Sequence, residues 1–407
     1  MIHPDAARCL MCKRARCVDN CAVHTDIPTV MKLYKEGKIE EAAQILFNNN
    51  PLSGITCQVC DWKKMCFGHC VLNVKNAPVH WYQIEQEISM EYLKTVEIEV
   101  GEPVGKSVGI IGAGPAGIAA AIFLRKRGFE VTIYDKHRRI GGVLRYGIPE
   151  FRLDDKFIGY YERIINNAGI HFRPKVKIGK VMTLNQIRNA HDAVLLAAGA
   201  DKPRRLRIPG EDNPHVIPAL SYLDEPGYYE LGKKIIVVGG GNVAMDACRT
   251  AARFGHETYL YYRKSFENMP ANTTEVEGAK ADGVQFMLMQ TPVEIKIVDG
   301  RNIAVIRDCQ TVFNPDGSIA TKILDGTDHE VEFDDMILAV SETVDFSIFG
   351  ENPPAMDSKG WPVVNGMQQT SFPDLFLAGD FLLGPKTVVA AVQSAKVACQ
   401  GIREYLK

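Results

Sequence analysis

The sequence has little of what would indicate a membrane, secreted or nucleic-acid-binding protein. The uncharged stretch at residues 107–124 contains four glycines and a proline, which favours a buried strand, turn and helix over membrane insertion. Basic and acidic residues balance at 47 and 49, so no charge excess indicates binding to nucleic acid or to an acidic membrane surface. The first residues lack a basic segment followed by an apolar one, which predicts no signal peptide and a cytoplasmic location.

Cysteine is scarce over most of the chain. Eight of the eleven cysteines lie within the first 70 residues, whereas Cys248, Cys309 and Cys399 are isolated. An odd number with this skew is not typical of a secreted disulfide scaffold. Closely spaced thiols in a cytoplasmic chain more often bind metal, so the N-terminal region is a candidate metal-binding domain.

The pattern of apolar residues changes near residue 100. Residues 29–47 have a helical period broken by Gly37, and residues 79–93 have another, whereas strand signals are few before residue 100. After a linker at residues 101–105, the sequence predicts a strand at 107–111, a glycine turn, a helix at 116–127 and a second strand at 130–134. This order returns about 127 residues later, with predicted strands at 233–238 and 257–262 and a helix at 245–254. The sequence therefore predicts an α/β fold in which a helical domain precedes two nucleotide-binding domains.

The first glycine motif follows an apolar strand and opens a helix. Its residues are Gly112, Ala113, Gly114, Pro115, Ala116 and Gly117. In this context the glycines allow a tight turn, close approach of a pyrophosphate and close helix packing, and the helix N-terminus attracts the phosphates. Asp135 ends the next strand at nearly the spacing expected of the acid that binds a ribose. The motif predicts a dinucleotide with an unphosphorylated adenosine ribose, such as FAD.

The second glycine motif has the same context but different charges. Its residues are Gly239, Gly240, Gly241, Asn242, Val243 and Ala244. Arg263 stands where the first motif has Asp135, and Lys264 follows it. A cation here favours a 2′-phosphate, so we expect NADPH, with NADH as the alternative. FAD and a nicotinamide on one chain predict hydride transfer between them.

The N-terminal cysteines fall into two sets of four. The sets are Cys9, Cys12, Cys17 and Cys21, then Cys57, Cys60, Cys66 and Cys70. Two zinc sites and two iron–sulfur clusters both use such thiolates. Because a flavin that accepts two electrons needs a one-electron outlet, iron–sulfur clusters are favoured. The later domains lack the close cysteine pair that a disulfide reductase needs beside its flavin, which argues against that class.

Taken together, these motifs resemble the family of the glutamate synthase small subunit. That family includes the N-terminal half of dihydropyrimidine dehydrogenase and the large subunit of NADH-dependent ferredoxin:NADP oxidoreductase. The resemblance extends over nearly the whole chain, through residues 9–21, 57–70, 112–117, 141–142, 146–149, 239–246, 262–264, 269–270 and 378–380. It implies a helical domain with two [4Fe–4S] clusters at 1–100, an FAD domain at 101–213 and 343–407, and an inserted NAD(P)H domain at 214–342.

The resemblance also implies ligands for the two clusters. One cluster takes Cys9, Cys12, Cys17 and Cys70. The other takes Cys21, Cys60, Cys66 and a non-cysteine ligand, for which Glu85 is the matching residue and Gln86 the runner-up. Cys57 is then not a ligand. A solvent-exposed helix acid is the alternative interpretation of Glu85.

Further cofactor contacts follow from the same resemblance. Asp380 matches an aspartate near the flavin ribityl chain, and Arg152 is expected on the nicotinamide side; these two are the candidate catalytic residues. The helix that follows, at residues 387–399, is expected to point its N-terminus at the flavin. The remaining cofactor-binding residues that the resemblance implies are Lys136, Gly142, Arg145, Gly199, Gly379 and Thr387. Ser341 and Glu342 replace the usual Gly-Gln of the family.

The expected function is that of an electron-input subunit. NADPH reduces FAD, and the clusters relay electrons to another oxidoreductase subunit that docks near the N-terminal domain; reverse flow is equally compatible with the parts. An electron-bifurcating NADPH/ferredoxin oxidoreductase subunit and the NAD(P)H-oxidising part of a dihydropyrimidine dehydrogenase are the alternatives within this class. A non-enzymatic zinc protein with a degenerate nucleotide fold is the alternative outside it.

Overall fold

The computed structural model describes residues 3–316 and 318–407. The first two residues, which belong to the segment that predicts the absence of a signal peptide, lie outside the described residues. The α-helices are α1 Pro4–Arg8, α2 Arg16–Asp19, α3 Ile27–Lys35, α4 Ile39–Asn49, α5 Ser53–Val59, α6 Trp81–Leu93, α7 Pro115–Arg125, α8 Val143–Tyr146, α9 Asp155–Asn167, α10 Leu184–Ala190, α11 Ala219–Asp224, α12 Asn242–Arg253, α13 Thr273–Ala281, α14 Asp380–Leu383 and α15 Val388–Tyr405. Short 3₁₀ helices are Val71–Lys75, Pro226–Tyr228, Phe266–Asn268 and Phe346–Phe349.

Most strands belong to two parallel sheets. The strands are β1 Ser107–Ile111, β2 Glu130–Tyr134, β3 His171–Arg173, β4 Ala193–Leu196, β5 Lys202–Pro203, β6 Val216–Pro218, β7 Lys234–Val238, β8 Glu257–Tyr262, β9 Gln285–Leu288, β10 Gln290–Val298, β11 Arg301–Phe313, β12 Ile319–Ile323, β13 His329–Phe333, β14 Asp335–Leu338, β15 Glu342–Thr343 and β16 Leu375–Leu377.

The chain divides into two compact units. The first contains the described residues up to Arg145, Glu150–Ala200 and Val344–Lys407, and the second contains Tyr146–Pro149 and Asp201–Thr343. The domain division predicted from the sequence starts the inserted domain at residue 214, later than the second unit begins. It also separates residues 1–100 as a domain of their own, and that separation stays a prediction.

The N-terminal part of the first unit is helical. Among residues 3–100 of the described chain no strand is present. Helices α3 and α4 flank Gly37, whose φ of 75° suits the left-handed turn between them. Val30, Met31 and Leu46 are buried between α3, α4 and α6, and each such side chain contributes about 1.5–3 kcal/mol on burial. This core holds the segments that carry the cysteines.

The rest of the first unit is built on a five-stranded parallel sheet. Its strand order is β16-β4-β1-β2-β3, so the order reverses at β1. In such sheets, ligands bind beyond the carboxyl ends of the strands at this reversal. Helix α7 follows β1 and packs against α15. A buried hydrogen bond links α9 to the N-terminal helical part, since Tyr161 Oη donates to the Pro51 carbonyl at 2.8 Å.

The second unit has its own parallel sheet and an antiparallel one. The parallel strand order is β6-β14-β7-β8-β9, and the order again reverses next to the strand that precedes the glycine motif. Strands β10 to β13 form an antiparallel sheet in which β11 pairs with the other three. The α/β class with two dinucleotide-binding folds is therefore confirmed.

Candidate cofactor sites

The first glycine loop can be formed only by glycine at two of its positions. Gly112 has φ of 108°, and a Cβ there would lie 2.2 Å from the Ala197 carbonyl oxygen. A Cβ on Gly117 would lie 1.9 Å from the Gly112 carbonyl oxygen, so α7 packs directly on the loop. Gly114 caps α7 and leaves the first N–H groups of that helix without side-chain acceptors. These free N–H groups suit a pyrophosphate.

Asp135 holds this loop in place. Its buried carboxylate accepts the Ala113 N–H at 2.6 Å and the His137 N–H at 2.7 Å. The ring nitrogen of His137 lies 3.0 Å from the same carboxylate. The structure thus gives Asp135 a role in ordering the loop, and its contact with a ribose stays a prediction.

Three further predicted segments meet the first loop or lie beside it. A Cβ on Gly142 would lie 2.7 Å from Gly114 Cα, and one on Gly379 would lie 2.8 Å from Ala116 Cβ. Gly199 follows β4 with φ of 78°, and nothing lies within 4 Å of a Cβ added to it. The close packing at Gly142 and Gly379 forms a cradle around the N-terminus of α7, and such a cradle fits an extended dinucleotide such as FAD.

Arg145 is buried beside this cradle. Its side chain is 8% exposed, and it donates to Asp155 at 2.6 Å and to Glu162 at 2.7 Å. Its Nη2 atom is buried without a hydrogen-bond partner. An orphaned buried donor next to the cradle suits an oxygen-rich ligand.

The other predicted flavin residues occupy different settings. Lys136 is exposed and Arg152 is half-buried. Asp380 begins α14 and accepts the Lys386 N–H at 3.2 Å. Thr387 caps α15 by accepting the Ala390 N–H at 3.3 Å. The cofactor roles of these four residues stay predictions.

The second glycine loop repeats the geometry with a different set of neighbours. Gly239 has φ of 149°, and a Cβ there would lie 2.3 Å from the Ala339 carbonyl oxygen. A Cβ on Gly240 would enter the Tyr262 ring. Gly241 caps α12, and nothing lies within 4 Å of a Cβ added to it. Packing within the protein therefore does not require glycine here, whereas close approach of a ligand would.

The residues flanking this loop are Asn242, Val243 and Ala244 at the start of α12, and Arg263 and Lys264 after β8. The Asn242 side-chain oxygen accepts the Asn272 N–H at 2.8 Å, which anchors the helix start. Arg263 is exposed, and among the described residues no hydrogen bond or ion pair engages it. Lys264 donates to the Ile319 carbonyl at 3.4 Å. Arg263 therefore offers a free guanidinium at the end of the strand.

The cysteines of the N-terminal helices line two cavities. The first cavity is lined by Cys9, Cys12, Cys17, Cys66 and Cys70, together with apolar side chains. The second is lined by Cys21, Cys57, Cys60, Cys66 and Glu85. Each cavity thus combines thiols from both sequence sets, and the assignment of four ligands to each cluster stays a prediction.

Two residues, Cys66 and Trp81, belong to the walls of both cavities. The second cavity is also lined by Val389 from the first turn of α15. The sequence does not identify Trp81 or Val389 as cavity residues, because an apolar side chain that lines a cavity is of the same type as one in an ordinary core. The cavities are therefore neighbours, and the second one reaches the helix whose N-terminus was predicted to face the flavin.

The acid–base properties of the cavity groups follow from their burial. Burial raises the pKa of Glu85 to about 8, although a hydrogen bond from Trp81 acts in the opposite direction. Burial, with the nearby Cys70 and Cys9, raises the pKa of Cys17 to about 11. Burial also raises the pKa of Cys60 and Cys66 well above the usual value. Metal binding must therefore displace protons from these thiols.

Three negative findings concern residues 3–316 and 318–407. None of the cysteines described there is paired in a disulfide, and no three His, Cys, Asp or Glu side chains are grouped so as to hold a metal ion. Over the same ranges, no helix is both long and apolar enough to cross a membrane. The thiol-lined cavities nevertheless have the donor set that iron–sulfur clusters use.

Comparison with known families defines the class of protein. Residues 106–395 match the family described as pyridine nucleotide-disulphide oxidoreductase, and the chain belongs to this family. Residues 1–96 match the family described as dihydropyrimidine dehydrogenase domain II, 4Fe-4S cluster. The chain is thus an NAD(P)H-dependent FAD oxidoreductase with a 4Fe-4S domain, and the predicted cofactor chemistry is confirmed.

Individual relatives give a finer comparison. The glutamate synthase [NADPH] small chain of Escherichia coli is 32% identical over 99% of this chain and 91% of its own length. The NADPH-Fe(3+) oxidoreductase subunit beta of Geobacter sulfurreducens is 29% identical over 97% of this chain and 64% of its own length. The chain therefore resembles electron-transferring subunits of larger enzymes, as its sequence predicted.

A solved structure supports the fold alone. FprA of Mycobacterium tuberculosis in complex with NADPH aligns with a TM-score of 0.64 and 19% identity. The alignment covers 75% of this chain and 85% of FprA.

Proposed function

We propose that this chain takes electron pairs from NADPH and passes single electrons to a partner subunit through its N-terminal cysteine cavities. When bound, FAD supplies hydride acceptance and [4Fe–4S] clusters supply one-electron steps. The chain itself binds the pyrophosphates at two glycine loops and holds the thiols in two partly buried cavities. The same parts also support flow in the reverse direction.

One observation carries the proposal: the two cavities lie next to each other within the first unit and form a series between α15 and the protein surface. Val389 of α15 lines the second cavity, Cys66 and Trp81 line both, and Leu10 of the first cavity wall is 60% exposed. Clusters held in these cavities would connect the FAD-binding part of the first unit to the protein surface. A protein that used the cysteines only for structural zinc would have no need of this series.

The ligand sets belong to the proposal. We assign Cys9, Cys12, Cys17 and Cys70 to the cluster nearer the surface. We assign Cys21, Cys60, Cys66 and Glu85 to the other cluster, since Glu85 lines the second cavity and Gln86 does not. Cys57 lines the same cavity and is left outside the set.

NADPH is proposed over NADH because the position after β8 carries a free cation. Arg263 is exposed without a partner among the described residues, so its guanidinium is available for a 2′-phosphate. The names of the two relatives above both specify NADPH.

A partner subunit is proposed because those relatives are named as a small chain and as a subunit beta. We place the docking site near the N-terminal cavities, where electrons would reach the surface. The cytoplasmic location stays part of the proposal.

The test uses the full chain, purified without oxygen. We expect bound FAD, iron with acid-labile sulfide, and flavin bleaching by NADPH faster than by NADH. A ferredoxin then serves as the one-electron protein acceptor. Cys60→Ser should retain flavin bleaching but lose most ferredoxin reduction, whereas Cys309→Ser, a buried thiol of the second unit, should retain both. Zinc in place of iron, or a protein without flavin absorbance, would contradict the proposal.

A further inference from the structure

The segment between the cysteines of the first set is locally basic in a chain of balanced charge. Residues 10–20 contain Lys13, Arg14 and Arg16 but only one acid, Asp19, while the whole chain has 47 basic and 49 acidic residues. Lys13 and Arg14 are exposed, and within the described parts of the chain neither side chain has a hydrogen-bond or ion-pair partner. These cations are therefore available to another molecule.

Neighbouring acids do not neutralise them. Asp5 is engaged by Arg8 at 2.7 Å and by the ring of His80 at 2.5 Å. Asp26 caps α3 by accepting the Thr29 N–H at 3.3 Å. Between Cys9 and Cys21 the one acid is Asp19, which is exposed. The exposed side chains of residues 10–20 therefore carry more positive than negative charge.

Exposed apolar side chains lie within the same region. Leu10 is 60% exposed and Val71 is 38% exposed, and both line the first cavity. Met11 is 43% exposed next to Leu10. Val74 is 82% exposed and follows Val71 by three residues in a 3₁₀ helix, where residues at that spacing share a side. Arg16 lines the first cavity as well, so charged and apolar groups meet at its rim.

We infer that Leu10, Met11, Lys13, Arg14 and Val71 form a docking patch for an acidic one-electron carrier protein. The inference rests on the proposed function, because it concerns the partner that exchanges electrons with the first cavity. Apolar contacts at the cavity rim bring the carrier close to the thiols, and the cations attract its acidic face. Complementary charge of this kind accelerates encounter more than it strengthens the complex.

The experiment measures the second-order rate of reduction of an acidic ferredoxin by the NADPH-reduced full chain at two ionic strengths. The Debye length is about 30 Å at about 0.01 M and about 8 Å at about 0.15 M, so only the low-salt rate should show the full attraction. We expect Lys13→Glu with Arg14→Glu to slow the low-salt reaction about tenfold, within the range that steering provides. The difference in rate between this variant and the unmodified chain should shrink at the higher salt.

A control variant with the same change in net charge is Lys177→Glu with Lys180→Glu. Both lysines are exposed on the segment after β3 and line neither cavity. The low-salt rate of this variant should stay within about twofold of the rate of the unmodified chain. The comparison then separates the effect of where the charge lies from the effect of net charge. Calorimetric titration with oxidised ferredoxin gives a second measurement, in which Kd should rise only for the variant at residues 13 and 14.

The outcomes separate the inference from the proposed function. Iron and flavin content are measured first, and if the double Glu variant loses iron, Lys13→Gln with Arg14→Gln replaces it under the same criterion. Equal low-salt rates and equal Kd for test and control variants would overturn the docking patch alone. If the unmodified chain with NADPH reduces neither ferredoxin nor a small dye, the proposed function is overturned.

Discussion

Cys66 and Trp81 form a wall shared by the two cysteine-lined cavities of the N-terminal helices. The two sequence sets of cysteines are therefore not two independent metal modules. Thiols that lie close in sequence, such as Cys17 and Cys21, line different cavities, while Cys9 and Cys70 line the same one.

The first prediction concerns Cys66. Cys66→Ser should remove the cluster of the second cavity, because serine supplies no thiolate to iron. Iron should fall from about eight to about four atoms per chain, the content of one [4Fe–4S] cluster. Iron analysis and electron paramagnetic resonance of the reduced protein provide the measurement.

Cys57→Ser is the matched control for this substitution. Cys57 is buried and lines the second cavity, but the proposed ligand set excludes it. The control should keep its full iron content. If Cys57→Ser loses iron and Cys66→Ser retains it, Cys57 is the ligand and Cys66 is not.

The second prediction concerns Glu85. Glu85→Gln should raise the reduction potential of one cluster, because net charge at the cluster is one of the features that sets its potential. A redox titration followed by electron paramagnetic resonance should show one shifted and one unshifted signal. Gln86→Ala, one residue along α6, should shift neither signal; a shift in that variant alone would identify Gln86 as the ligand.

The third prediction concerns Arg263. A charge-assisted hydrogen bond contributes about 1.5–3 kcal/mol, so Arg263→Ala should raise the KM for NADPH about tenfold or more. The KM for NADH should change little, since NADH lacks the 2′-phosphate. Steady-state kinetics with both nucleotides provide the measurement, and an equal loss with both would assign Arg263 a structural role instead.

The fourth prediction separates the structural glycines of the second loop from those that serve a ligand. Gly239→Ala should lower the thermal stability, because its φ is 149° and the new Cβ would lie 2.3 Å from a carbonyl oxygen. Gly241→Ala has room for its Cβ and should keep the melting temperature. It should nevertheless weaken nucleotide binding, because the second glycine of the motif allows the pyrophosphate to approach. Calorimetry and fluorescence titration give the two measurements, and equal behaviour of both variants would contradict this division.

The glycine-loop elements could be predicted from the sequence almost to the residue. The predicted strands at 107–111, 130–134 and 257–262 coincide with β1, β2 and β8. Central parallel strands are continuous apolar runs bounded by glycine turns, and such runs leave little freedom in their bounds. Helix starts agree less well, since α12 begins at Asn242 and not at residue 245.

The antiparallel sheet of the second unit was missed. Its strands β10 and β11 are joined at Asp299 and Gly300, which have φ of 50° and 76°. An Asp-Gly pair between strands is a strong hairpin signal, so the sequence did contain the information. The alternation beside it is weaker, because exposed Ile297 and Val298 interrupt the polar face.

The candidate sites were less predictable than the fold. Spacing identified the thiols, but it did not show which thiols share a cavity, because that depends on how α3, α4 and α6 pack. Likewise the sequence did not indicate that Arg145 pairs with Asp155 and Glu162, or that Asp135 orders the glycine loop. Such partners are set by tertiary packing.

The position of Val389 has a consequence for biosynthesis. The first cavity is lined by residues between 9 and 81, whereas the second is also lined by Val389, from the last helix of the sequence. Ribosome-stalled chains that lack this helix should therefore retain radioactive iron at the first site and little at the second. On this prediction, the first metal centre would mature early in synthesis, and the second would stay open to solvent until the chain's final segment emerges.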